Sequence, residues 1–461
     1  MSRLLDNYIT RRQAFRAGAT SVAAYSFSPL LEAQAAKSAQ SAKPRNSAKF
    51  VIWVMLDGGQ SHLDTWDLKE DKWTPPDFNV KELQPGVKWP MALYPKLAKQ
   101  LDKVALVRSL EAWDSVHGRA QYYVQSAHSL NPSLHKEIPA VGSVVAMECH
   151  NRRKPSDCLP SYVALNVVQN QAGLLKSGFL PALYSPFHIQ TQTDLSAYAV
   201  DSDEERKEFQ RRWAMLKDFD SRLRNDSSLQ AKAFRDYNDH YESAVRLLSD
   251  PRTAPLFQLS SEDKARYGGT DVGDACIIAR NLIEADAGTK FIFLLHRDWD
   301  HHSNIYTRNN IYKRSEELDP ALSTLLEDLA SRKRANGTTL LDETLVIAVG
   351  EFGRTPGNIT DKLKGRDHYQ YAFTGLFAGG GVKGGQVIGK TNPDGSKIVD
   401  AGWGVKRSIY TEDIATTIYS VMGIDWRKTI KGTPSGRDFY YIEPFASQKM
   451  IVSREIEPLF G

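Results

Sequence analysis

Acids and histidines in this 461-residue chain collect directly after its apolar runs. WVML ends at Asp57; VRSL is followed by Glu111, Asp114, Ser115 and His117; FIFLLHR by Asp298, Asp300, His301 and His302; LVIAVG by Glu351. A further group, GRDHY, sets Asp367 and His368 just ahead of another apolar run. His62, His117, His296, His301, His302 and His368, six of the eleven histidines, fall in these segments. Singly, an acid after a strand is a common helix cap or turn former, and His296 reads as a core group. Collectively they imply a cation. Asp57, Asp300 and Glu351 brought within about 4 Å would repel by roughly 4 kcal/mol per pair at an effective dielectric near 20. Carboxylates with neutral imidazoles suit divalent ions such as Zn, Mn, Fe or Ca. One ion or two are compatible with the residues; two would leave a positive site that attracts an anion and suits displacement at phosphorus or sulfur. Asp57 is then a metal ligand at the end of a central strand.

Residues so scattered meet only if strands bring them to one rim. Strands are expected at 49–56, 103–110, 161–166, 290–296, 343–350 and 372–379, mostly short, nearly continuous apolar runs of the kind buried on both faces of a largely parallel sheet. Helical patterns lie between them at 139–150, 272–286 and 320–337, the last ending in a basic turn and a Gly stop. The alternation predicts a three-layer α/β/α sandwich, in which ligands gather outside the carboxyl ends of the strands. Residues 168–270 carry long charged helical stretches and few strand signals, so a helical insertion is expected there. The Gly-rich stretch AGGGVKGGQVIGKTNPDGSKIVDAG reads as hairpins at the sheet edge. It lacks the GK[ST] ending of a P-loop.

Composition narrows the class further. With 41% apolar residues the chain can bury a large core. Its 59 basic and 55 acidic residues are spread along the chain without the basic stripe of a nucleic-acid binder. Cys149, Cys158 and Cys276 have no CxxC spacing, though a Cys149–Cys158 bridge remains open in an oxidising compartment. Residues 1–36 resemble a Tat export signal, with Arg11, Arg12 and the small-residue site Ala33-Gln34-Ala35, although Ala14 stands where the signal prefers Phe. Residues 37–48 form a polar linker, and the domain occupies 49–461. No later segment reaches the roughly 18–20 apolar residues of a membrane span. Export by the Tat machinery to the periplasm or beyond is expected.

The stretches LDGGQSHLDTWD, EIPAVGSVVA, WDHHSN, GEFGRTP and GRDHYQYAFTGLFAGGGVKGGQVIGKT resemble the signatures of an exported bacterial family, domain of unknown function 1501. That family is similar to the alkaline phosphatase and sulfatase superfamily, and the resemblance runs over about 49–445 in order. It implies Asp57 as the first metal ligand, Asp300, His302 and His368 around one ion, and Glu351 as the acid of a late pair. Phe352 stands where the superfamily has His, so a second ion would need His62 or His117. A helix starting near Gly118 would present Ser115 as nucleophile with His117 beside it; attack by metal-activated water is the other route. Arg354 and Arg119 are the cations expected on a substrate oxyanion. The implied activity is a metal-dependent hydrolase of anionic phosphate or sulfate esters, extracellular polysaccharides among them. The alternative is an exported binding or scaffold protein that keeps the fold without turnover.

Overall fold

All six apolar runs become strands in the computed structural model of the chain, which describes residues 43–168, 176–193, 195, 200, 202–221, 232–357, 363–446, 449–450 and 452–461. The expected signal peptide and residues 37–42 of the linker lie outside the described residues. The main sheet has nine strands. They are β1 (Phe50–Leu56), β2 (Val104–Glu111), β3 (Tyr162–Leu165), β4 (Phe187–Ile189), β5 (Phe291–His296), β6 (Thr344–Val349), β7 (Phe373–Ala378), β8 (Gln386–Ile388) and β9 (Ile409–Tyr410). In space they run β8, β2, β7, β6, β1, β5, β3, β4, with β9 also paired to β2. Among these strands β7 alone is antiparallel to its neighbours.

The helices that matter here are α1 (His117–Ser126), α2 (Val141–Glu148), α3 (Asp203–Phe219), α4 (Lys232–Ser249), α5 (Asp271–Ala285), α6 (Lys313–Ser331) and α7 (Thr411–Val421). Central strand β1 shows why its sequence is apolar throughout. Phe50, Ile52, Val54 and Leu56 enter one core with α5 and α6, while Val51, Trp53 and Met55 enter another with α2 and α7. Side chains alternate across a strand, so a strand covered on both faces needs apolar residues at every position.

Four expectations are corrected. The helix expected at 320–337 is α6, which begins earlier and accommodates Pro320 in its interior. It also stops earlier: the Arg334 guanidinium donates to the Ile283 and Glu284 carbonyls at the end of α5, so the basic run caps a neighbour's negative end. The 168–270 insertion is not wholly helical, because β4 joins the sheet beside β3. At the sheet edge β8 lies parallel to β2, and a hairpin follows only at Lys390–Thr391 and Ile398–Asp400. The Cys149–Cys158 bridge is absent: both thiols are free and belong to the two different cores.

Register does the positioning. Leu56 pairs with His296 and Met55 with Val349, so the loops after β1, β5 and β6 leave the sheet side by side. Gly58 makes the turn after β1 at φ +104°, and a Cβ there would lie 2.5 Å from the Asp300 backbone N. A side chain fits neither the dihedral nor the space. Gly58→Ala is expected to cost more than about 1 kcal/mol, read as a lower denaturation midpoint.

Candidate metal centre

Asp57 leaves β1, Asp300 and His302 leave β5, and Glu351 leaves β6. His117 is the first residue of α1, one position before the expected start. A two-stranded ribbon, Gly353–Arg354 against His368–Tyr369, sets His368 opposite Arg354. Parallel strands ending in register thus gather groups up to three hundred residues apart.

Asp300 is the hub. Its Oδ1 lies 2.9 Å from His302 Nε2 and 3.4 Å from His368 Nε2, and its Oδ2 lies 3.3 Å from His117 Nε2. Among the described residues, His117, Asp300, His302 and His368 form the group whose ligating atoms all fall within 4.8 Å of one another. Each imidazole is also held from behind. His368 Nδ1 donates to the Ser115 carbonyl at 2.6 Å, His117 Nδ1 contacts Glu351 Oε1 at 2.7 Å, and His302 Nδ1 faces Asp367 Oδ1 at 3.4 Å. Metal-binding histidines show this pattern, one nitrogen tied to a carbonyl or carboxylate and the other turned to the ion. The His302 and His368 Nε2 atoms stand 2.8 Å apart, a separation that needs a proton or cation between two nitrogen lone pairs. Nitrogen ligands sit about 2.0–2.1 Å from zinc, so this donor set fits one divalent ion.

The electrostatics agree with the geometry. Burial opposes the Asp300 charge, yet hydrogen bonding to His117 and the Arg354 charge hold its carboxyl well below the usual range. Burial and the Arg354 charge push His368 down, towards the neutral form that ligates. Burial also opposes a charge on His117, but hydrogen bonds to Asp300 and Glu351 outweigh it and raise the imidazole to about 9. Asp57 is pushed up to about 7 by burial and then by Glu351. The side chains of Asp300 and His302 are each 42% exposed, whereas that of Glu351 is 0% exposed. The cluster therefore opens to solvent above and rests on a dry floor.

Several expected roles change. Arg354 is buried beneath the cluster; its Nε donates to the Gly59 carbonyl at 2.9 Å, Nη1 to the Arg366 carbonyl at 3.2 Å, and Nη2 to the Gly58 carbonyl and Asp300 Oδ1. With four of its five N–H groups engaged and its side chain 1% exposed, it braces Asp300 from below and does not face a substrate. Arg119 is exposed and tied to Asp114, with Nη2 to Oδ1 at 3.1 Å, away from the cluster. His62 is buried with Nε2 3.0 Å from the Gly395 carbonyl O, beyond the Gly353 backbone, so it supplies no ligand. Among the described contacts Ser115 reaches the cluster through its carbonyl. His117, of the two histidines considered beside Glu351, is the one that meets it.

Gln121 was not foreseen. One turn beyond His117 on α1, its amide nitrogen donates to Asp57 Oδ1 and, at 3.2 Å, to Glu351 Oε1. Its only signal in the sequence is the four-residue spacing from His117, which puts both side chains on one helix face.

Solved structures give loose likenesses. A protein in the alkaline phosphatase superfamily from Vibrio parahaemolyticus is 10% identical with a TM-score of 0.38, over 90% of this chain and 71% of that chain. Phosphonate monoester hydrolase SpPMH from Silicibacter pomeroyi is 11% identical with a TM-score of 0.38, over 89% and 76%. The lipoteichoic acid synthase LtaP from Listeria monocytogenes is 11% identical with a TM-score of 0.34, over 85% and 78%. Likeness at this level says nothing of the site. No relative matches among curated proteins. Residues 48–447 match the family model described as Protein of unknown function (DUF1501), and the chain belongs to that family.

Proposed function

We propose that the chain is an exported, metal-dependent hydrolase of phosphate or sulfate esters. The observation that carries this reading is the common orientation of His117, His302 and His368, each held from behind with its other nitrogen turned toward Asp300. We assign Asp300, His302 and His368 as the holders of a divalent ion, of Zn, Mn, Fe or Ca type. When bound, such an ion polarises an ester oxygen and lowers the pKa of water towards neutrality. Arg354 keeps Asp300 aimed, and the Ser115 carbonyl fixes the tautomer of His368. His117, held at Nδ1 by Glu351, is the residue we assign to proton transfer at Nε2. Water is the nucleophile in this scheme, and Ser115 contributes its carbonyl to His368.

Beside the centre, a cavity of about 260 Å³ is walled by Asn166, Gln190, Gln192, Arg297, Asp298 and Lys313, among others. Arg297 and Asp298 belong to the same loop as Asp300. The cavity's amides stand among the cations Arg297, Lys313 and Arg314 and the acids Asp271, Asp298 and Glu317, a polar, charge-balanced wall that suits the hydroxyl-rich body of an ester such as an extracellular polysaccharide. Export is proposed from residues 1–36; among the described residues no helix is long and apolar enough to cross a membrane.

Protein purified without chelator is expected to carry a divalent ion and to hydrolyse an aryl phosphate or aryl sulfate. Stripping the ion should lower the rate by at least about 10³-fold, and adding it back should restore it. A chain that retains none of Zn, Mn, Fe or Ca would sink the metal assignment. A loaded protein that splits neither ester yet retains an anion is a binding protein instead.

A further inference from the structure

We propose that the centre is built for one ion, and that the Gln121 side chain occupies the place a second would take. This rests on the metal reading above. Two carboxylates, Asp57 and Glu351, lie beside the ion-binding group, and on charge alone they invite another cation. Part of their acceptor capacity is already taken by the protein. The Gln121 amide nitrogen carries two hydrogens and spends them on both acids, bridging Asp57 Oδ1 and Glu351 Oε1. Glu351 accepts further from the Gly58 backbone N, at 3.0 Å to Oε1 and 3.3 Å to Oε2, and from His117 Nδ1 at 2.7 Å. A divalent ion between the acids would have to expel an amide that satisfies both at once.

The residue that follows Glu351 supplies no ligand either. Phe352 follows Glu351, is 1% exposed, and packs its ring 4.9 Å from that of His117 and 4.7 Å from that of His368. A phenyl ring offers no donor atom and closes the wall where an imidazole would reach in. The Asp300, His302 and His368 atoms, by contrast, converge with nitrogen lone pairs facing one another. One half of the pocket is thus left open to an ion, and the other half is occupied by a side-chain amide.

The test is ion stoichiometry of the full chain, stripped with chelator, reloaded with zinc or manganese, and freed of unbound ion by gel filtration. Wild type is expected to hold one ion per chain. Gln121→Glu, nearly isosteric, exchanges the bridging donor for a third carboxylate and is expected to raise the count to two. Gln121→Ala combined with Phe352→His should do so by a different route. Two ions in wild type would overturn the proposal alone, and so would a count of one in both variants. A count of zero in wild type would remove the metal reading and this proposal with it.

Discussion

His302→Ala is expected to lower kcat/KM for aryl ester hydrolysis by about 10³-fold or more and to empty the centre of its ion. An ion acting on an ester oxygen contributes several kcal/mol of charge stabilisation in the transition state, and each 1.4 kcal/mol or so is a factor of ten in rate. His302 contributes one of three assigned ligands, and Asp300 and His368 alone hold an ion weakly. The same substitution should hardly change folding. His302 is 42% exposed, and its recorded partners are polar groups at the rim, Asp300, His368 and Asp367. Compared in the metal-free state, where ion binding does not add to stability, the variant should melt within about 1 °C of wild type, equivalent to under about 1 kcal/mol for a chain of this length. Wild-type turnover in His302→Ala would remove the proposed centre.

Arg354→Leu should produce the opposite balance, a large loss of stability that carries metal binding with it. The guanidinium is 1% exposed and meets three backbone carbonyls and the Asp300 carboxylate. Only the Arg354 half of this pair is buried, so losing it costs less than the about 3–5 kcal/mol of a fully buried pair, to which the unmatched Gly58, Gly59 and Arg366 carbonyls add. Chemical denaturation of the metal-free protein reads this directly. Arg354→Lys restores the charge without the fork, so it should recover part of the stability and less of the ion affinity. A Leu variant as stable as wild type would show that the brace contributes nothing.

Much of this arrangement was legible because of one regularity. A strand covered on both faces must be apolar at every position, so Phe50–Leu56 and Phe291–His296 stand out from the surrounding sequence. The acids that end such runs share a rim once the strands are parallel and in register. What stayed hidden depends on contacts with backbone. Arg354 has the side chain for an anion, yet four acceptors, three of them carbonyls, absorb it. Arg119 lies two residues beyond His117, which turns it to the other side of the helix, where it is exposed and paired with Asp114. His62 and His117 both follow apolar runs, and only register decides that His117 reaches Glu351. Strand β4, three residues long, has too little pattern to stand out within a charged segment. Gln121 is an ordinary helix residue until both acids are seen on either side of its amide.

The register of β1 with β5 and β6 also bears on when an ion can be captured. The assigned ligands Asp300 and His302 share one loop, His368 comes from a second segment and the supporting Glu351 and Arg354 from a third, and the three converge only after strands distant in sequence have paired. An unfolded chain offers a passing cation the neighbouring Asp300 and His302 without His368. On the metal assignment proposed above, complete coordination waits for the sheet to close, so the compartment in which the chain folds sets which ions it meets.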